Sequence, residues 1–477
     1  MATVSSPRSA ALDAIVARFE SVDASRGPSV EPAAVSKRRR EALERFLARG
    51  IPSVRDEDWK YTNLAPLASH PFPRVAPAGA GPLPAGLADA VERARLRLHG
   101  GPSYVLVDGR LVRELSSPIP AAAGVHAGSL AQALRESPAL VEPHLARIAP
   151  GRALADLSTL LFEDGFFLHL ASETCLPVPI EILHVTTASG AAVFPRTLVV
   201  AETATRATLI EQHVAAPGLA HASFPVTELV LGRNAAVEHV LYERTGDAAT
   251  FVALLAAEQA RDSRFASHVL TVGGEIPAST PAIARVDVAA SLEAEGAEAT
   301  LHALYLAAGV RHVDIHTCID HRAPHGTSRQ LVKGIAADRA TAVFNGKVIV
   351  RPGAAKTDSR QTNHNLLLSD DATVDTKPEL EIDADDVKCA HGATVGRLRE
   401  DELFYLRSRG IDATSARALL VRAFARDVID RISIEALRAR LEAEIDARVD
   451  ALDRTGALDR TGALDRGGSL QRAGSSS

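Results

Sequence analysis

From about Phe166 onward, short strand-like segments follow one another for more than two hundred residues, and no helix of ordinary length separates them. RTLVVA, ATLIEQHV, VTELVLG, AVEHVLYER, FASHVLTV, ATLHALYLA, VDIHTCID, KVIV and ELEID are rich in β-branched and aliphatic residues and are bounded by short turns. Without crossover helices, such a succession must close as a sandwich, a barrel or a β-helix. Ala-containing strand starts near Ala207, Ala236, Ala266, Ala299, Ala342 and Ala372 recur mostly at about 30 residues with one longer interval, as stacked repeats do. That period favours the β-helix. Asn345-Gly346, a favoured tight-turn pair, agrees with it. So do Gln361, Asn363 and Asn365, whose amides share one strand face and can ladder between coils.

Helical patterns flank this region. ALDAIVARFE and SKRRREALERFLARG carry apolar residues at helical spacing, with Gly50 and Pro52 as a stop; the basic run Lys37–Arg40 reads as a solvated face. Trp59 reads as the anchor of a small helical core. Residues from His70 to Ala90 are rich in Pro, Ala and Gly and read as a loop or linker. SYVLVDGRLVREL is expected to be a hairpin turning at Asp108-Gly109, and SLAQALRESPALVEPHLARI and ALADLSTLLFED are helical. After Gly396 come GRLREDELFYLRSRGI and DATSARALLVRAFARDVIDRI, with Leu420, Phe424, Val428 and Ile432 at helical spacing and Asp412 or Thr414 as cap. ISIEALRARLEAEIDARVDAL follows. These last helices either fold on themselves or offer a docking groove. The expected division is a mostly helical region with a hairpin (1–150), a β-helix core (151–395), a helical domain (396–450) and a disordered repeat tail (451–477).

Charge and motifs exclude several functions. With 53 Lys+Arg against 59 Asp+Glu there is no basic field for nucleic acid. Cys175, Cys318 and Cys389 are too far apart in sequence for a disulfide framework and fit a reducing cytosol. The N-terminus has no secretory pattern and no run approaches a membrane span, so a cytoplasmic protein is expected. Gly346-Lys347 is followed by Val348, so the chain has no P-loop and binds no nucleotide of its own; H-E-x-x-H, G-x-S-x-G and C-x-x-C are absent.

Two stretches carry chemistry. Gly353–Gly396 ends in Cys389-Ala390-His391-Gly392, and on a strand the thiol and imidazole share one face, within reach of one zinc or iron ion. Two ligands alone do not make a site. In Arg311–Asp320 the residues His312, Asp314, His316, Cys318 and Asp320 alternate with Val313, Ile315 and Ile319, and His321 and His325 follow. This second face is either a metal-ligand set or the outer side of a half-buried strand.

DEDWKYTNLAPL, HTCIDHRAPHGTSRQLVKGI, TDSRQTNHNLLLSDDATVDTKPELEIDADDVKCAHGATVG and LFYLRSRGI together resemble the SufB/SufD family of iron–sulfur cluster assembly proteins, from about Asp56 to Ile432. KCAHGATVG and FYLRSRGI are of the SufD type. The resemblance implies a right-handed parallel β-helix between helical domains, and a scaffold rather than an enzyme. It implies pairing with SufB through the β-helix ends and docking of the SufC ATPase on the C-terminal helical domain, at Leu403, Phe404, Tyr405, Leu406, Arg409, Gly410, Leu420 and Phe424. It further implies that His391, with Cys389 as a candidate, meets iron or a nascent iron–sulfur cluster shared with SufB. A SufB-like homodimer and a stand-alone β-helix metalloprotein are the alternatives. A β-helix carbohydrate enzyme would need aromatic platforms, which 4% aromatic content does not supply.

Overall fold

The computed structural model describes residues 10–24, 31–75, 86–148 (apart from 97, 99 and 121), 151–273 and 281–454. Two sheets of 10 and 11 strands dominate it, and from Gly165 onward eight parallel strands of one alternate along the chain with eight of the other. The chain therefore winds as a parallel β-helix of eight coils.

Register explains the sequence period. Ala236 lies opposite Arg206, Thr327 opposite Glu298, and His312 opposite Ile283, so one coil takes about 30 residues. Ala207, Ala236, Ala266 and Ala299 belong to the first sheet, whereas Ala342 lies in the second sheet and Ala372 directly precedes its last strand. The one long interval is the step from one sheet to the other. Corners between strands place Asn234, Asp262, Asp338 and Asp386 at positive φ, a conformation that short polar side chains tolerate.

Alternate residues of both sheets point into the lumen and bury a continuous apolar column, including Leu209, Leu229, Phe251, Phe265, Val286, Ile315 and Phe344. The outer faces are covered as well, which is why segments such as RTLVVA are apolar throughout. N-terminal helices Ala10–Ala24 and Ala33–Arg49 pack with Leu198, Val200, Phe224 and Val252 outside the second sheet. C-terminal helices Ala413–Ile429 and Glu435–Arg454 pack with Val240, Leu270, Leu304 and Ile335 outside the first. The hairpin at Asp108-Gly109 forms, with both residues at positive φ and Leu106 opposite Leu111.

Several local expectations are corrected. Arg39, read as solvated, is buried: its guanidinium meets Glu31, the carbonyls of Thr159 and Phe162, and the face of Phe162 at 3.7 Å. Trp59 touches the N-terminal helical cluster, but its ring also lies against Arg285 on the outer face of the second sheet, 3.7 Å from the guanidinium. Helix Leu87–Ala94 begins inside the stretch read as linker; 76–85 lie outside the described residues. Asn345-Gly346 is no turn, but the middle of strand Thr341–Val350. The repeat tail from 455 onward also lies outside the described residues.

Candidate functional site

The last coil is built from strands Thr373–Ile382 and Lys388–Gly396, which stand at the ends of their sheets and are paired on one side only. Beneath Lys388–Gly396 lies Asp358–Leu367, with Ser359 opposite Cys389, Gln361 opposite His391, Asn363 opposite Ala393 and Asn365 opposite Val395. Ser359, Gln361, Asn363 and Asn365 are buried and occupy lumen-facing positions. Cys389 and His391 continue the same columns, so the two side chains share one face, as expected, and that face is the lumen side. Cys389 is half-buried and free, with burial pushing its thiol pKa up; His391 is exposed.

The lumen under this coil is lined by amides, unlike the apolar column of Leu209, Phe251, Val286 and Ile315 in lower coils. Asn363 gives its Nδ2 proton to the Val332 carbonyl one coil down (3.2 Å), and its Oδ1 accepts from Asn365 (2.6 Å) and from Thr376 of the opposite sheet (2.8 Å). The expected amide ladder is therefore a cross-lumen network. Tyr305 adds a hydroxyl bond to Asn365. Two glycines make this possible. A Cβ at Gly334 would stand 2.0 Å from Tyr305 Cζ, and one at Gly346 would stand 2.4 Å from Gln361 Nε2. Gly346 is thus kept in a strand for space rather than for turning. The coil's outer rim leaves Ile382 and Val395 exposed. Pro378 is tolerated there because the strand is an edge.

The His312–Asp320 face lies outside the second sheet, where the Trp59 segment covers part of it. Asp314 is buried, accepts on Oδ2 from Arg285 (3.0 Å) and Thr62, and has its Oδ1 2.9 Å from His316 Nε2; burial pushes its pKa up, but His316 and Arg285 outweigh this and hold it at about 2. Asp320 is held by Arg322 and Arg351, both at 2.9 Å. His321 faces the lumen and bonds Ser328 at 2.9 Å. With its carboxylates committed to arginines, this face is an ion-paired outer surface. Cys318, His316, Asp287 and Lys347 line a cleft of ≈ 700 Å³ beside it, and burial raises the Cys318 pKa.

A second polar centre was not singled out from the sequence. Glu211 is fully enclosed in the lumen and accepts from His184 (3.0 Å) and Thr197 (3.1 Å) on one oxygen, and from Thr227 (2.7 Å) and His239 (3.1 Å) on the other. Burial alone would raise its pKa; the surrounding histidines bring it well below the usual range. His213 stacks on His184 with centroids 4.4 Å apart and planes 3° from parallel. His184, Glu211 and His213 are the only trio among the described residues with metal-ligand spacing. Parallel rings cannot aim both in-plane lone pairs at one ion, and each Glu211 oxygen already has two donors. The centre is a satisfied buried carboxylate. Its signal in the sequence was Glu211 and His213 occupying inward positions after Ala207 and Leu209 in ATLIEQHV.

The C-terminal helices present a different surface. On helix Glu400–Ser408, Leu403 is buried and Leu406 half-buried, while Phe404 is 75% and Tyr405 58% exposed. The Arg409 guanidinium stands 5.3 Å from the Tyr405 ring, and Gly410 takes φ 87° just beyond the helix. Leu420 and Phe424 are half-buried; Leu420, Leu406 and Tyr405 line a groove of ≈ 260 Å³. Asp412, as expected, caps the next helix through the Ser415 N–H at 2.9 Å. That helix is fixed to the first sheet by Val421, Ala425 and Val428, and by Lys333, which lies 2.8 Å from Asp427 and 4.3 Å from the Phe424 ring centre. No described helix is long and apolar enough to cross a membrane.

Comparison with known proteins matches residues 184–424 to the family described as "SUF system FeS cluster assembly, SufBD core domain" and residues 28–182 to "SufBD protein N-terminal region". An iron–sulfur cluster assembly SufBD family protein of Synechocystis is 31% identical over 83% of this chain and 87% of its own length. The iron–sulfur cluster assembly protein SufD of Escherichia coli is 29% identical, covering 87% of this chain and 93% of that one. SufD of Bacillus subtilis is 28% identical over 62% of this chain and 67% of its own.

Proposed function

The chain belongs to the SufBD family of iron–sulfur cluster assembly proteins, and from that premise we propose that it is a non-catalytic scaffold subunit that pairs with SufB through the open end of its β-helix and docks the SufC ATPase on its C-terminal helices. The observation that carries this reading is the placement of His391 and Cys389 on an unpaired terminal coil. An edge strand offers free N–H and C=O groups to a partner strand, so pairing there would bring the partner's ligands to the same place. The chain supplies half a site. The other half would come from SufB, and the iron or nascent cluster is the shared substrate.

In this reading SufC meets Phe404, Tyr405 and the groove beside Leu420, within residues 396–450. A large exposed aromatic pair, beside a helix fixed to the first sheet, has the composition of an interface hot spot. Nucleotide-driven dimerisation of SufC would then move the helices of both partners and open the end-to-end interface to iron and sulfur. An imidazole in place of a thiolate carries less negative charge, which favours later release of the cluster.

The test is co-expression with SufB and SufC, with iron and acid-labile sulfide measured on the purified complex. His391→Ala should leave the three proteins together and reduce iron and sulfide at least about tenfold, the scale of ligand-shell losses in metal sites. Cluster content equal to the parent's would remove His391 from the site.

A further inference from the structure

Gln361 is 1% exposed, yet neither its carboxamide oxygen nor its nitrogen has a hydrogen-bond partner. Its strand neighbours differ: Asn363 and Asn365 are both bonded. A buried polar group left unmet costs about 1–3 kcal/mol, so an amide in this setting calls for a partner within reach.

Position in the fold says what that is. Gln361 is the register partner of His391, one strand spacing of about 4.8 Å below it on the same lumen-facing side. Gly346 of the opposite sheet gives up its side chain to leave the carboxamide room. Below Gln361 in the same column stands Gln330, whose Oε1 accepts from Thr317 at 2.7 Å and whose Nε2 is also unpartnered. Donation from that Nε2 to one lone pair of Gln361 Oε1 would orient the amide and leave the second lone pair facing His391.

An imidazole that presents a lone pair to a metal carries its proton on the other nitrogen, and the acceptor of that N–H fixes both tautomer and ring orientation. We propose that Gln361 is the positioning residue of His391: its carboxamide oxygen accepts the imidazole N–H that turns into the lumen, leaving the other ring nitrogen with its lone pair toward the open end. The proposal rests on the assignment of His391 as a ligand, but its test does not.

The full chain, labelled with ¹⁵N-histidine and free of iron, is read by long-range ¹⁵N–¹H spectra at alkaline pH, where the rings are neutral. The His391 signal is identified by its loss in His391→Ala. The parent should show a single tautomer for His391. Gln361→Leu and Gln361→Met should show both tautomers, and Gln361→Glu, which keeps an oxygen at the same reach, should restore one. The apolar variants lose one hydrogen bond to an exposed ring, so they should unfold within about 1 kcal/mol of the parent. On the complex they should weaken iron retention about 10–100-fold. An unchanged tautomer ratio in both apolar variants overturns the proposal. Redistribution in Gln361→Leu alongside normal cluster content in His391→Ala would leave the positioning intact and remove the ligand assignment instead.

Discussion

Gly334→Ala places one methyl group where the structure has no room for it. Gly334 lies on a lumen-facing position of strand Thr327–Ala336, and the added Cβ would stand 2.0 Å from Tyr305 Cζ and 2.2 Å from its Oη. Its φ is not in the left-handed region, so the cost is purely steric. Tyr305 is fully buried and must move, giving up its hydroxyl bond to Asn365. Overpacking of a tight core and an acceptor left unmet add to about 4 kcal/mol. Urea unfolding should therefore show a midpoint shift of that size with little change in slope. Tyr305→Leu removes the obstacle, so the double variant should be less destabilised than the sum of the two, with a coupling of about 2 kcal/mol. Gly392→Ala is the control, since a Cβ there meets nothing within 4 Å. A Gly334→Ala variant within about 0.5 kcal/mol of the parent, or strict additivity with Tyr305→Leu, would refute the packing described for the lumen. The consequence reaches the site, because Asn365 Nδ2 also donates to the Thr394 carbonyl of the terminal strand at 3.4 Å.

Phe404→Ser with Tyr405→Ser should leave melting unchanged within about 0.5 kcal/mol, as for other exposed positions, and weaken SufC retention about 30-fold, the equivalent of a 2 kcal/mol hot spot; undiminished co-purification would move the docking surface elsewhere. Acid should destabilise the fold early. Burial holds His213 and His321 neutral, with pKa values down to about 4 against 6.5 in the unfolded chain. The unfolded state binds protons first as pH falls, so the stability present above 6.5 is lost progressively toward 4, about 3 kcal/mol per histidine. Glu211 beside His213 and Asp320 beside His321 have lowered pKa values and add their loss only at lower pH. A melting temperature constant between pH 7 and pH 4.5 would contradict this, and His321→Gln should flatten the profile by its share.

Period and alternation favoured a β-helix between helical regions over a sandwich or a barrel, because strands repeated at near-constant spacing without crossover helices can bury their inward residues by stacking. They also determined that Cys389 and His391 share a face, since strand geometry depends on parity and not on neighbours. What only the tertiary structure decided is what stands across the lumen from each residue. Asn345-Gly346 has the composition of a turn, yet lies mid-strand, because Gln361 crosses the lumen to reach the space left at Gly346. Arg39 has the setting of a solvated charge, yet is enclosed by Glu31 and the carbonyls that end a helix more than a hundred residues away. Glu211, His184 and His239 are distant in sequence and meet only because successive coils bring strands into register. Carboxylates on the His312–Asp320 face became salt-bridge partners rather than ligands because Arg285, Arg322 and Arg351 arrive from other strands and corners. Sequence fixes the direction of a side chain along its own strand, whereas coil stacking and sheet separation fix its partners, and a site is defined by partners.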